Sequence, residues 1–273
     1  MTKQNLQGNF THAEKQLAES AERGELCDLL RASQTEQERT IRAEALRDLC
    51  LKRYNQIVDP KGVRVKGAIF TEKVDLAHCD LPFGLEFIEC EFRGGIDLTL
   101  AKVRQLVMHA CAVYECLEAN CCVVEGSVFL RGGFEAHGSV SFAGAKVGGQ
   151  FDCHDGKFLA TGERCLLAEG TEVRQGVFLN DGFEAHGSVS FASAKIGGQF
   201  DCTGGRFLDT GERCLMAQGI EVGQDVFLRG GFEARGSVSF AGAKVGGQFD
   251  CSGGKFLAKS EWCLFAEGIE VGQ

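Results

Sequence analysis

A closely kept repeat of 49 residues is the feature that most constrains how this chain folds. Three copies of one segment begin at Phe134, Phe183 and Phe232, and they differ from one another at few positions. Repeats of about 20–50 residues are typical of solenoids, propellers and arrays, in which each unit packs mainly against its neighbours. The chain of 273 residues is therefore expected to build its core by stacking units.

Each repeat consists of two related halves of about 24 residues. The half beginning at Ala143 aligns with the half beginning at Ala168, and Cys153 then matches Leu179. Apolar-x-apolar triplets start every five or six residues, with the period of two that strands show. Four triplets per half predict an all-β solenoid with a four-sided coil. Residues 58–273 then predict about nine coils of parallel β-helix, a rod of about 43 Å at about 4.8 Å per coil.

The glycine and proline contents agree with this architecture. The chain has 37 glycines and only 2 prolines. Glycines cluster between triplets, at Gly94–Gly95, Gly148–Gly149 and Gly197–Gly198, where a tight corner needs their freedom. Proline is avoided because nearly every strand must donate to a neighbour. A propeller is excluded, since its strands are longer and antiparallel and its repeat is about 40–45 residues.

The small-x-Leu/Phe units of residues 58–273 resemble the core motif of pentapeptide-repeat proteins. The motif stands at Cys79-Asp80-Leu81, Cys90-Glu91-Phe92, Ala101-Lys102-Val103 and Ala145-Lys146-Val147. The step departs from that family, because it alternates between five and six. The resemblance implies a right-handed quadrilateral β-helix. Similar bacterial proteins with GGQFDCSGGKF-type segments are mostly uncharacterised, and some carry a "membrane-associated oxidoreductase" label.

The N-terminal residues 1–57 are predicted to form a helical cap of two helices over the first coil. Thr11 and Glu14 form a capping-box pattern, and a second helix begins near Thr35. A cap is expected because open strand edges template aggregation; a partner- or nucleic-acid-binding helix pair is the alternative. Residues 1–57 contain nine basic and nine acidic residues, so the net charge of −9 lies on the rod. This acidity argues against general nucleic-acid binding.

The outward residues of the triplets form rows along the rod. Two rows alternate in charge, and they are Lys146, Glu172, Lys195, Glu221, Lys244, Glu270 and Lys157, Glu184, Arg206, Glu233, Lys255. Opposite charges on neighbouring strands stabilise one another modestly. We interpret both rows as solvated ion-pair ladders, with a charged ligand groove as the alternative.

Two further rows mix apolar and polar residues, and they supply the candidate partner-binding residues. A third row is predicted to contain Asp152, Phe178, Asp201, Phe227 and Asp250, and a fourth Leu166, Leu215 and Leu264 between serines. Exposed apolar ladders are candidate contact surfaces. The alternative is that the loop around 160–164 and its repeats fold over them.

The 14 cysteines are expected to be reduced thiols, since no signal peptide precedes them, which predicts a cytoplasmic protein. They alternate with Leu or Val between half-repeats, as buried cysteines do. One metal-like cluster remains, comprising His109, Cys111, Cys116, Cys121 and Cys122. It lacks the Cys-x2-Cys spacing of structural zinc sites, and its spacing equals the repeat step, which would stack the thiols. We predict no metal and no cofactor.

No catalytic constellation is recognisable. The chain contains neither a phosphate-binding Gly-x-x-x-x-Gly-Lys-Ser/Thr loop nor a dinucleotide-binding glycine motif, and His137 is replaced by Arg235 in the third repeat. We therefore expect a non-catalytic scaffold that binds another protein, with no membrane span and no direct nucleic-acid contact. The resemblance implies two alternatives, a DNA mimic that modulates a type II topoisomerase and an oxidoreductase without an identifiable active site. Because Gln273 falls within a coil, a homodimer through the C-terminal coil or a truncated chain is also expected.

Overall fold

The wall of the molecule consists of four parallel β-sheets that wind through about nine turns. The computed structural model describes residues 10–32, 35–53, 56–161, 164–209, 213–258 and 263–272. Successive strands of the chain enter sheets A, B, C and D in turn, and each strand pairs in parallel with the strand one coil away. The predicted four-sided β-solenoid is confirmed.

The strands are short, mostly of two to four residues. Sheet A contains Cys27–Asp28, Val63–Lys66, Leu85–Ile88, Leu106–His109, Val128–Arg131, Phe151–Asp152, Val177–Phe178, Phe200–Asp201, Val226–Phe227 and Phe249–Asp250. Sheet B contains Ile69–Phe70, Glu91–Phe92, Ala112–Val113, Glu135–Ala136, Lys157–Phe158, Glu184–Ala185, Arg206–Phe207, Glu233–Ala234 and Lys255–Phe256. Sheet C contains Val74–Asp75, Ile96–Asp97, Leu117–Glu118, Val140–Ser141, Arg164–Leu167, Ser188–Ser190, Arg213–Met216, Ser237–Ser239 and Leu264–Phe265. Sheet D contains Asp80–Leu81, Lys102–Val103, Val123–Val124, Lys146–Val147, Glu172–Val173, Lys195–Ile196, Glu221–Val222, Lys244–Val245 and Glu270–Val271.

Helices occupy the N-terminal segment. They are α1 (His12–Arg23), α2 (Leu29–Ala32), α3 (Glu36–Arg39) and α4 (Ala43–Cys50). Both capping boxes are present, one at Thr11 and one at Thr35. The helix that begins after Thr35 ends at Thr40, because Thr40 adopts an extended backbone and bridges to Ile69 of sheet B. The second predicted helix is thus divided into α3 and α4.

The N-terminal segment covers the first coil by meeting three of its sheets. Cys27–Asp28 adds a parallel strand to sheet A beside Val63–Lys66. The Ile41 amide donates to the Ile69 carbonyl at 3.0 Å in sheet B, and Arg47 donates to the Asp75 carbonyl in sheet C. Open strand edges invite pairing with other chains, so these contacts protect the first coil.

Aromatic side chains fill the interior. Six phenylalanines stack along the rod beside sheet B, with successive ring centroids 5.3–5.7 Å apart; they are Phe134, Phe158, Phe183, Phe207, Phe232 and Phe256. Aromatic pairs at such distances add to the free energy that burial provides. Phe256 is half-buried, as are Phe249 and Cys251 in the same coil. Dimerisation through this coil stays a prediction.

A β-bulge corrects the predicted register of sheet C. Leu166 pairs with Val140, so Leu167, and not Leu166, follows Ser141 in the outward row. The reason is that the strand Arg164–Leu167 carries one extra residue between Arg164 and Leu166. That residue is Cys165, which is buried beside Leu166. A bulge of this kind shifts every later side chain of its strand by one position.

Candidate functional site

The first candidate surface is the outward row of sheet A, where Asp and Phe alternate as predicted. Asp152 pairs with Phe178, and Asp201 pairs with both Phe178 and Phe227. Asp250 ends the row beside Phe227. The five residues lie in one line, so the predicted register is correct here.

The three aspartates of this row accept hydrogen bonds from other residues of the rod. Asp201 accepts from the Thr203 amide at 2.9 Å and from the Asn180 side chain at 3.0 Å. Asp152 and Asp250 accept from Arg131 and Arg229 in the same manner, at 2.8 and 2.9 Å. The Ser252 amide and hydroxyl, followed by Arg229, lower the pKa of Asp250. These carboxylates tie neighbouring coils together, which leaves them little capacity for a partner.

The phenylalanines of the same row are also engaged. The guanidinium of Arg229 lies 3.8 Å from the centroid of the Phe227 ring, a cation–π contact. The ring of Phe178 lies over Gly176, where a Cβ atom would come within 3.0 Å of it. Both phenylalanines are half-buried. Sheet A therefore presents a surface whose charged and aromatic groups stabilise one another.

The second candidate surface differs from its prediction. The sequence pattern predicts that Leu166 and Leu215 point outward, but both have a relative exposure of 0%. Leu264 pairs with the inward Val238, and its side chain is half-buried. The bulges at Cys165 and Cys214 cause the shift, because each inserts one buried residue before the leucine.

The apolar residues that do face outward from sheet C include Leu167, Met216 and Phe265, and we name these three the sheet C apolar row. They pair in register with Ser141, Ser190 and Ser239. Leu167 and Met216 are half-buried, and Phe265 is 39% exposed. The sequence contained the signal, since the offset that carries Val147 onto Val173 also carries Ser141 onto Leu167. Parts of the neighbouring loops, 162–163, 210–212 and 259–262, lie outside the described residues, so the predicted loop cover over this row is not described.

The third candidate is a groove of about 920 Å³ that runs along sheet D from Val123 to Gly272. Its rim is the predicted charged row from Lys146 to Glu270, whose six members pair in the expected order. Its floor is the edge of the inward valines, such as Val173 and Val222, which are 2–3% exposed. The adjoining corner of the groove is formed mostly by glycines, such as Gly197 and Gly223, and by Glu125 and Arg174 in two of the coils.

Charge pairing separates the sheet D row from the charged row of sheet B. In sheet B, Lys157 lies 2.8 Å from Glu135, and Arg206 lies 2.8 Å from Glu184. In sheet D, Lys146 and Glu172 are 3.4 Å apart. Within the described residues the other four have no ion pair within 4.0 Å, and they are Lys195, Glu221, Lys244 and Glu270. The row of sheet D thus offers ionic groups that the rod itself leaves available.

The cysteine-rich segment does not form one site. Cys111 is buried at the start of a sheet B strand, whereas Cys116 and Cys121 are exposed at two later corners of the same coil. The thiols therefore point to different sides and do not stack. The stacked pair is Cys90 and Cys111, one coil apart, where burial raises the pKa of Cys111. The described residues contain no group of three or more His, Cys, Asp or Glu side chains placed to hold a metal.

No family model, no curated protein and no solved structure matches the chain. Over the described ranges, no helix is both long enough and apolar enough to cross a membrane.

Proposed function

We propose that this chain is a non-catalytic scaffold that binds another protein, and that the sheet C apolar row is its main contact surface. The observation that carries the proposal is the regular outward placement of Leu167, Met216 and Phe265 on every second coil. Serines occupy the same row on the coils in between, so each large apolar side chain has small side chains beside it. Such rows of apolar groups at a surface are characteristic of contact sites.

The spacing of the row favours an amphipathic helix as the part of the partner that binds. Two coils advance by about 9.6 Å, twice the strand separation of about 4.8 Å. Seven residues of an α-helix advance by about 10.5 Å. A helix that lies along sheet C therefore places one apolar residue per heptad near each of the three side chains, as in other helix-in-groove contacts.

Two finer assignments accompany this proposal. Four parallel sheets of short strands with small-x-Leu/Phe units support a pentapeptide-repeat-like, right-handed β-helix. The buried, unpaired thiols support a reducing, cytoplasmic location.

The net charge of −9 supports the second candidate, a DNA mimic that inhibits a type II topoisomerase. Inhibition of gyrase supercoiling by micromolar protein, with loss of inhibition at high salt, is the result expected of a mimic.

The scaffold proposal is tested by replacing the sheet C apolar row with the serine that alternates with it. The variant Leu167→Ser, Met216→Ser, Phe265→Ser copies residues already present one coil away, so we expect the rod to fold. Purified protein is immobilised and challenged with lysate of the native cell, and bound proteins are identified by cross-linking and mass spectrometry. We expect the triple variant to lose a specific partner that the wild-type chain retains.

A matched control changes sheet B in place of sheet C. The variant Lys255→Ser removes an exposed side chain from a different face of the coil, and it should retain the partner. Recovery of the same proteins by the wild-type chain and by the triple serine variant would overturn the assignment of sheet C.

A further inference from the structure

We propose that two copies of this chain associate side by side and antiparallel through the charged groove of sheet D. The partner is thus a second copy of the chain, and sheet D of one copy faces sheet D of the other. This association uses a face different from the sheet C apolar row, so it goes beyond the scaffold function and stands or falls separately.

The first support is the state of the six charges on the rim. All six side chains are exposed, and four of them have no ion-pair partner within 4.0 Å in the described part of the chain. Strand pairing nevertheless fixes their order and keeps neighbours about 4.8 Å apart. A regular row of alternating charges therefore faces solvent along sheet D.

The second support is that this row of charges is complementary to itself when its direction is reversed. Lysine and glutamate alternate strictly from Lys146 to Glu270, so reversing the row about a point between two neighbours sets lysines against glutamates. A two-fold axis between Lys195 and Glu221, perpendicular to the rod, reverses the order of the second copy. Every lysine then faces a glutamate, because Lys146 meets Glu270, Glu172 meets Lys244, and Lys195 meets Glu221 of the other copy. An isologous contact of this kind is closed, so it yields a dimer.

The same pattern rejects the parallel arrangement. With the two-fold axis along the rod, each charge faces its own copy, so lysine meets lysine and glutamate meets glutamate. Like charges set against one another at an interface are strongly unfavourable. The row therefore selects one orientation of the pair.

Sheet B carries a similar row, but it is a weaker candidate. Its charges are paired along the rod, as between Arg206 and Glu184, and the neighbouring Arg235 binds Glu233 at 2.9 Å. A second copy would have to break these contacts. In sheet D, four of the six charges have no such contact to break within the described residues.

The contact is expected to be reversible. The groove spans seven strands of sheet D, about 29 Å at the spacing between coils. A face of this length lies at the small end of specific interfaces. Association should therefore depend on protein concentration, which sedimentation equilibrium of the full chain can measure.

The test is a charge-reversal cycle at the centre of the interface. Lys195→Glu sets a new carboxylate against Glu221 of the other copy, and Glu221→Lys sets a new ammonium group against Lys195, each at two symmetric positions. We expect either variant alone to raise the dimer dissociation constant about tenfold or more. An equimolar mixture of the two variants restores opposite charges at both positions, so dimers should reappear at the wild-type level.

The same geometry provides a control variant and defines the results that would contradict the proposed dimer. Lys255→Glu changes an exposed charge of sheet B and should leave the dissociation constant unchanged. Circular dichroism of each variant verifies the fold, and the mixture serves as an internal check because both components must be folded to pair. A wild-type chain that stays monomeric at high concentration overturns the proposal. So does a dimer that either single variant leaves intact, or a mixture that stays monomeric.

Discussion

Glycines are needed at the corners of the coil for two different reasons, close contact between coils and backbone conformation. At the corner between sheets D and A, a Cβ atom on Gly197 would lie 2.3 Å from the Arg174 carbonyl oxygen. At the corner between sheets C and D, Gly170 has a φ of +63° and open space around the Cβ position. Ser193 and Cys121 occupy the equivalent corner in other coils with φ of 57° and 53°. At Gly197 a side chain is excluded by contact with the preceding coil, although Glu125 and Arg174 occupy the same corner in other coils. At Gly170 a side chain is disfavoured only by the backbone conformation.

Alanine substitutions at the two corners should therefore differ in cost. Gly197→Ala forces the stacked backbones apart, and we expect it to lower the free energy of unfolding by about 3 kcal/mol. Gly170→Ala needs only a left-handed backbone, which costs about 1 kcal/mol. Urea unfolding followed by circular dichroism measures both values. Equal losses for the two variants would contradict the distinction.

The sequence predicted glycine corners but could not separate these two causes. Gly148–Gly149 and Gly197–Gly198 stand out in the repeat, yet their φ values are not in the left-handed region. Gly148 and Gly197 need glycine because a carbonyl oxygen of the preceding coil lies close to each of them, which is a contact between residues distant in the chain. A sequence pattern records the result of such a contact without its cause.

At the scale of elements, an ion pair between the buried Glu14 and the partly exposed Arg42 joins α1 to the start of α4. Both carboxylate oxygens of Glu14 accept from the Arg42 guanidinium at 2.7 Å, and the Glu14 side chain is 1% exposed. Burial alone raises the pKa of Glu14, but hydrogen bonds from Arg42 and from the Thr11 amide outweigh it, so the pKa is lowered from 4.5. The ionised form is therefore stabilised by folding, and this contribution is lost as the pH falls through the lowered pKa.

Glu14→Gln should destabilise the helical segment at pH 7 by about 1–3 kcal/mol, since it removes a charged acceptor of several hydrogen bonds. The loss should shrink as the pH falls from 4.5 towards the lowered pKa of the folded state, because the carboxylate of the unfolded chain takes up a proton first. Urea unfolding at pH 7 and at pH 3 measures the difference. Glu19→Gln is the matched control, because the pair of Glu19 with Arg23 is exposed and 3.9 Å long. A variant loss that is the same at both pH values contradicts the role of ionised Glu14.

The strands of sheet C show where pattern reasoning fails at this scale. The period of two places Leu166 and Leu215 outward if every strand has the same length. Both strands contain an extra residue, and Cys165 satisfies its thiol by donating to the Gly187 carbonyl at 3.2 Å. A single inserted residue reverses inside and outside, so the apolar face moves to Leu167 and Met216.

At the scale of the whole molecule, the stacking and the four-sided coil follow from the repeat, because each unit can bury its apolar edge only against the next. Face chemistry is less accessible to sequence. The order of Lys146, Glu172 and Lys195 is readable from the repeat, but whether neighbouring charges pair depends on side-chain geometry. Sheets B and D have the same alternation and differ in pairing.

The exposure of the cysteine thiols distinguishes the inside of the rod from its outside. Ten of the 14 thiols are buried, Cys116 and Cys121 are exposed, and Cys251 and Cys263 are half-buried. Burial raises the pKa of Cys27 and Cys165 to about 12 and that of Cys251 to about 11. A thiol reacts as its thiolate and only when a reagent reaches it. Both conditions fail for thiols inside the rod.

Two thiols should therefore react rapidly with a disulfide reagent in the native protein at pH 7.5, and the buried ones only on unfolding. The variant Cys116→Ser, Cys121→Ser should abolish the rapid phase without changing the total released in denaturant beyond the two residues removed. Stopped-flow absorbance measures the phases, and mass spectrometry of the labelled protein identifies the sites. Rapid labelling of Cys153 or Cys202, which lie on the inner side of sheet A, would mean that the solenoid is open where the packing of its coils requires it to be closed.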